Sequence, residues 1–235
     1  MASIKDDQGF NQGFEMTPST EVRMRRRADY LMSAMTDGNN KTVLEIGCGT
    51  GEIAFWIAEK KQHKVIGTDI CKPFIDFANE NFKRDNLTYE VLDFNNPEDI
   101  KGRKFDYIIG NGILHHLYYN LDQVLVTLKD LLAEDGKLIF YEPNMYNPYI
   151  AAIFNVSFLR KMAHLEPDEM AFSRTYIREK LTKAGFGKVE VEYKDFLLPG
   201  IPYFLVKPSI VIGDILEKIP FTRFVSQSIF LTASK

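Results

Sequence analysis

Between positions 42 and 142, short apolar runs alternate with segments whose apolar residues recur every three or four places. TVLEI (42–46), KVIGTDI (64–70), LTYEVLD (87–93), FDYIIGNG (105–112) and KLIFYE (137–142) each predict a strand. The intervening periodicity predicts helices over 52–60, 73–82 and 121–132, with Pro73 suited to a first helical turn and Asp135-Gly136 to a turn. Strands this continuously apolar, alternating with helices, predict a parallel sheet covered on both faces.

The flanks follow a different rhythm. Positions 1–18 are polar, with Gly9, Gly13 and Pro18, and read as a loop or mobile arm. Val22, Met24, Tyr30, Leu31 and Ala34 then form a helical stripe over 20–35, ended by Asp37-Gly38-Asn39-Asn40. After Glu142 an insertion rich in Asn, Pro, Tyr and Phe interrupts the alternation. It resumes with a helix over 173–184 capped by Ser173 and a strand over 188–196. A second Pro-rich insertion, helical over 211–218, precedes a last strand over 227–233. The simplest account is one domain spanning 1–235, with 1–40 as N-terminal arm and helix and two insertions at 143–172 and 197–224.

Composition narrows the class. The chain has 235 residues, 45% hydrophobic and 26% charged, as in an ordinary globular domain. A formal charge of -3 gives no overall attraction to nucleic acid, RMRRR at 23–27 being a local exception. Cys48 and Cys71 have no CxxC partner and no His/Cys cluster at metal spacing, which argues against a disulfide framework or a structural zinc and fits a reducing compartment. The opening MASIKDDQGFNQGFE lacks the apolar core of a secretory signal, and no run approaches the ~18 apolar residues of a membrane span. A cytoplasmic protein is the expectation.

The stretch VLEIGCGTGEIA places Gly47, Gly49 and Gly51 at alternate positions between a strand and a helix. Such glycines let bare main chain turn sharply and approach a ligand. A dinucleotide loop would carry its third glycine where Glu52 stands. Asp69 ends the second strand, where a carboxylate can take both ribose hydroxyls or cap the next helix. Asp93, followed by Phe94, ends the third; this pair suits an adenine amine and ring face, or a loop acid. The fourth strand ends in GNGILHHL. All four features fall on the carboxyl edge of a parallel sheet, where such sheets bind ligands.

EIGCGTG, GTDI, LDF, FDYIIGNGILHHL and LLAEDGKLIFYEPN together resemble the class I S-adenosylmethionine-dependent methyltransferases, and more narrowly the relatives of the quinone-biosynthesis methylases. The resemblance is good over 42–144 and thinner beyond. It implies an α/β Rossmann-like fold with a seven-stranded, mostly parallel sheet in the order 3-2-1-4-5-7-6, the last strand antiparallel. It implies S-adenosyl-L-methionine as cofactor, with Gly47, Cys48, Gly49 and Gly51 around its methionine part. By the same resemblance Glu45 supports the loop or meets the amino group, Asp69 with Ile70 holds the ribose, Asp93 with Phe94 the adenine, and Asn111 contributes from strand four.

Methyl transfer from a sulfonium needs no acid, because neutral sulfur leaves; a hydroxyl acceptor profits from a base. His115 or His116, beyond strand four, and Glu142, ending strand five, are the candidates, each with a packing or loop-anchoring alternative. His164 has a weaker claim. Asn147-Pro148-Tyr149 resembles the tetrapeptide of nucleic-acid amino-methylases but lacks a proline and follows the wrong strand. RMRRR is either a clamp for an anion or a solvated helix face. Phe10, Phe14 and Tyr30 are placed to close the arm over the cofactor. Tyr146, Tyr149, Phe154, Phe158, Tyr203 and Phe204 make the insertions bulky: the core of a cap, the lining of an acceptor pocket, or a membrane contact, the first preferred for want of a strongly basic amphipathic face. The leading expectation is O-methylation of a sugar, glycolipid or natural product by a monomer or homodimer, without nucleic acid or metal. N- or C-methylation, an NAD-dependent dehydrogenase and a catalytically inactive cofactor-binding subunit stay open.

Overall fold

In the computed structural model, which describes residues 16–36, 38, 40–166 and 169–235, the apolar runs become strands near the predicted bounds. Positions 1–15, with Phe10 and Phe14, and Asp37 and Asn39 of the predicted turn lie outside the described residues. β1 (Thr42–Ile46), β2 (Lys64–Asp69), β3 (Leu87–Val91) and β4 (Phe105–Asn111) are parallel, with β1 between β2 and β4 and β3 beyond β2. β5 (Leu132–Pro143) pairs parallel with β4. β7 (Ser228–Ser234) runs antiparallel between β5 and β6 (Val189–Lys194). The order is β3-β2-β1-β4-β5-β7-β6, as the family resemblance implied.

Asp135-Gly136 does not end a helix with a free turn. Phe105 pairs with Leu132 but Tyr107 with Lys137, so β5 begins before this pair and carries it as an irregularity.

Strand alternation divides the apolar residues between two cores. Leu44, Ile46, Ile108, Leu138 and Phe140 face the helices α4 (Leu121–Leu131) and α7 (Arg174–Lys183). Val43, Tyr107, Ile109, Ile139 and Tyr141 face α1 (Pro18–Ser33), α2 (Glu52–Lys60) and α3 (Lys72–Asn81). Side-chain caps define two of these helices: Thr17 accepts from Thr20 N–H to start α1, and Ser173 from Tyr176 N–H to start α7.

The segment after β5 folds into α5 (Pro148–Asn155) and α6 (Ser157–Met162), packed over a small core of Ile150, Phe154 and Ala171. Asn147 caps α5 by accepting from Ile150 N–H, and Pro148 fills its first turn. That helix start accounts for Asn147-Pro148-Tyr149. α8 (Tyr203–Leu216) begins well before the predicted 211 and contains Pro208.

Candidate functional site

The carboxyl ends of β1, β2 and β4 open into a cleft of about 760 Å³. Glu45, Gly47, Cys48, Gly49, Asp69, Ile70, Asp93, Phe94, Asn111, His115 and His116 all line it. α1 closes one side with Thr20, Arg23 and Arg27, while Tyr149, Pro199 and Gly200 stand at the far end. Gly51 is not on the wall. Its φ is +93°, and a Cβ there would lie 2.8 Å from Ala78 and from the Tyr89 ring, so its role is to let the loop pack against α3 and β3. Gly49 has φ +53° and open space where a Cβ would stand, on the cleft side.

The loop is fastened by the acids beside it. Asp69 accepts from Gly49 N–H at 2.8 Å and from Cys71 N–H at 2.9 Å, so it both fixes the loop and starts α3. Asp93 accepts from Asn95 N–H at 2.8 Å in a local turn at the wall. Phe94 is buried in the core under α4 and shows the cleft only a small part of its surface.

Glu45 is 1% exposed, and its Oε2 has no hydrogen-bond partner. Burial pushes its carboxyl well above the usual range, and the neighbouring Glu52 and Asp69 push it further. The Cys48 thiol is raised by burial and then by the same three acids. An acidic pocket with an orphaned buried oxygen suits a cation and opposes a diphosphate. The residues present therefore fit a sulfonium nucleoside carrying an amino group. They suit a pyrophosphate poorly, which counts against the dehydrogenase alternative.

His115 is the best-organised polar group on the cleft floor. Its Nδ1 lies 2.9 Å from Glu142 Oε2. Glu142 also accepts from the N–H groups of Ile113, Leu114 and His115 at 3.1, 2.8 and 3.2 Å, at the start of the 3-10 turn Leu114–Asn120. The sequence places Glu142 at the cleft edge; the structure instead buries it completely, away from the cleft lining. It acts on His115 and the loop, not on anything in the cleft. With Glu142 accepting from every side, His115 Nδ1 carries a proton toward it. His116 turns its Nδ1 to Glu169 Oε1 at 3.3 Å. Burial, helped by the His115 ring, lowers its pKa to about 2, so it is neutral at neutral pH. His164 is exposed and does not reach the cleft.

RMRRR divides its labour. Arg25 lies exposed over Trp56, 4.3 Å from the ring centroid. Arg26 pairs with Asp214. Arg27 is buried, bonding Asp195 Oδ2 at 3.2 Å, Asn111 Oδ1 at 2.8 Å, Gln227 Oε1 at 2.6 Å and the Ser228 hydroxyl. Arg23 donates to Leu197 O at 3.1 Å and Gln227 Oε1 at 2.8 Å and faces the cleft. Burial and the nearby Arg27 guanidinium pull its pKa down to about 9. This network was absent from the sequence reading. Asp195, its acidic centre, has φ +66° while 1% exposed, a backbone state that a non-glycine residue rarely adopts.

The sequence also showed no metal-spaced cluster, yet the fold assembles one. His115, His116 and Glu169 bring ligand atoms within 4.8 Å of one another, a donor set of two imidazoles and a carboxylate.

Residues 44–138 match the family model described as a methyltransferase domain. A Methanocaldococcus jannaschii protein named provisionally as a protein N5-glutamine methyltransferase is 38% identical over 81 residues, 34% of this chain and 41% of that one. The chain thus spans less than half the length of this curated relative. Among solved structures, the protein assigned as a methyltransferase in complex with the Haloferax volcanii Trm112 methyltransferase activator superposes with a TM-score of 0.69 at 16% identity, covering 99% of each chain. The CurJ carbon methyltransferase superposes with a TM-score of 0.63 at 22% identity, over 95% of this chain and 56% of that one.

Proposed function

We propose that the chain, whose residues 44–138 match a methyltransferase domain, is a class I S-adenosylmethionine-dependent methyltransferase that methylates a small organic acceptor whose attacking atom surrenders its proton to His115. The observation that carries this reading is the 2.9 Å contact from His115 Nδ1 to the buried Glu142, which orients the imidazole beside the glycine loop.

S-adenosyl-L-methionine, when bound, supplies a methyl group on positively charged sulfur that leaves neutral. Glu45, Asp69 and the Gly47–Gly49 main chain would hold its amino-acid and ribose parts, Asp93 its adenine, and Arg23 would offer a cation for its carboxylate. Glu142 keeps the proton on His115 Nδ1 and offsets the charge once Nε2 accepts a second proton. Glu142 is therefore a positioning residue and His115 the base. Glu169 Oε2, 3.7 Å from His115 Nε2, adds negative charge on the side where that proton arrives.

A base is of use to an acceptor with a hydroxyl or an acidic C–H, and less to an amine, which need only arrive unprotonated. We favour oxygen on a sugar, glycolipid or natural product, with 143–172 and 197–224 framing the acceptor pocket. The fold likeness to a carbon methyltransferase keeps carbon as the second reading.

The test has two arms. Calorimetry with S-adenosyl-L-methionine, S-adenosyl-L-homocysteine and NAD should find affinity for the first two alone. Incubation of the chain and a small-molecule extract with labelled methyl donor should give a labelled product that His115→Ala abolishes. Cofactor affinity without a product from any extract would favour an inactive partner subunit. Full turnover in His115→Ala would eliminate the base.

A further inference from the structure

We propose that the outward face of α8 seats the protein on a membrane surface carrying anionic lipid headgroups. The helix is amphipathic the wrong way round for a soluble domain. Phe204, Val211, Ile212 and Ile215, which share one side at about 3.6 residues per turn, are 76%, 61%, 56% and 55% exposed. Ile219 and Phe221 extend the patch at 40% and 87%. Val206 and Gly213 face inward, where Gly213 lets Phe196 approach to 3.0 Å of a Cβ position.

The charges choose the occupant. The carboxylates of this segment are turned to the protein body: Asp214 pairs with Arg26, and Glu217 pairs with Lys194 at 3.0 Å and accepts from Asp195 N–H. Lys207, Lys218 and Arg223 are exposed, with no ion-pair partner among the described residues. The apolar stripe is thus rimmed by three cations without an ion-pair partner among the described residues, while its half-exposed carboxylate, Asp214, is held by Arg26, on a chain whose net charge is -3. That combination suits an interfacial helix on acidic lipid. A second copy fits less well, because a two-fold contact would set the two basic rims side by side. No helix among the described residues is long and apolar enough to cross a membrane, so the helix lies on the surface. Pro199 and Gly200, just before α8, line the cleft mouth, which this seating brings next to the headgroup layer.

The full chain is sedimented with vesicles of phosphatidylglycerol and phosphatidylcholine in equal parts, and with phosphatidylcholine alone. The mixed vesicles should retain the protein at least tenfold better, and added salt should weaken the retention. Ile215→Asp with Phe221→Asp should reduce retention tenfold or more. Lys207→Gln, Lys218→Gln and Arg223→Gln together should abolish the preference for the acidic vesicles. Calorimetric affinity for S-adenosyl-L-homocysteine should be unchanged in every variant, which shows intact folding and keeps this outcome separate from the methyl-transfer reading. Absence of vesicle binding, or binding indifferent to both sets of substitutions, overturns the proposal. So does a dimer in sedimentation equilibrium that Ile215→Asp dissociates while vesicles fail to bind, which would assign the face to a second copy.

Discussion

Replacing Glu142 by glutamine removes one charge and little volume from a site with no spare donor or acceptor. The carboxylate accepts four hydrogen bonds, three from main-chain N–H groups at 3.1, 2.8 and 3.2 Å and one from His115 Nδ1 at 2.9 Å. Four is its full capacity. A glutamine that keeps its oxygen toward Ile113 and Leu114 must aim its NH2 at His115. There it meets the His115 N–H as donor against donor, and it forces Nδ1 to accept. The ring then carries its proton on Nε2, the atom that should receive one. Hydrogen bonds to charged groups contribute about 1.5–3 kcal/mol each, and two of them are lost or inverted, so Glu142→Gln should destabilise the fold by about 3–6 kcal/mol. A misdirected base should cost roughly 10²–10⁴ in turnover.

Three measurements check this. Thermal melting gives the stability, single-turnover release of S-adenosyl-L-homocysteine gives the rate, and 15N NMR of the imidazoles reads the tautomer without needing an identified acceptor. The cofactor affinity of Glu142→Gln should stay within about threefold of the native value, since Glu142 does not line the cleft. Combined with His115→Ala, Glu142→Gln should slow the reaction little further, because residues that act as one unit are not additive. A proton still on Nδ1 in Glu142→Gln, or rate losses that multiply in the double variant, would refute the reasoning.

Asp69→Ala should weaken cofactor binding by ~1–3 kcal/mol, because it leaves ligand hydroxyls and Gly49 N–H unpaired; calorimetry reads the change. His116 is held neutral in the fold but takes a proton at its ordinary value of 6.5 when unfolded. Below that pH the unfolded state binds more protons, so stability should fall with acid from about 6.5 toward 2, and His116→Asn should flatten denaturant midpoints across that range. Micromolar zinc should inhibit reversibly by occupying His115, His116 and Glu169, with activity restored by a chelator; activation by zinc would instead make the cluster a metal centre and displace His115 as base.

The strands and the glycine loop were legible because their information is local. An apolar run, a glycine of positive φ and a carboxylate at a strand end lie within about twenty residues of one another, and the parallel sheet gathers them at one edge. The arginine network was not legible, because Arg27 meets Asp195 and Gln227 across 168 and 200 residues. Nothing in RMRRR says which guanidinium is buried. Glu169 joins the histidines in the same non-local way, through Met170 N–H donating to His115 O. Glu142 was visible as a candidate, but its burial was not: strand five ends under the 3-10 turn, and a carboxylate there is consumed by three N–H groups. The outward face of α8 was hidden by Pro208, which reads as a breaker, and by apolar residues that a sequence cannot place inside or outside.

What unites these parts is opposite charge on the two sides of one cleft. The loop side gathers Glu45, Glu52 and Asp69, and burial first, then its two acidic neighbours, raise Glu45. The α1 side holds Arg23 and Arg27; burial, and after it the Arg27 charge, lower Arg23 to about 9 and leave it charged at neutral pH. A ligand with an ammonium or sulfonium at one end and a carboxylate at the other would meet the opposite sign on each side. α1 also reaches past the cofactor side: Arg23 donates to Leu197 O, and Arg26 pairs with Asp214 on α8. A ligand carboxylate that draws on Arg23 therefore acts on the helix that also anchors the 197–214 segment.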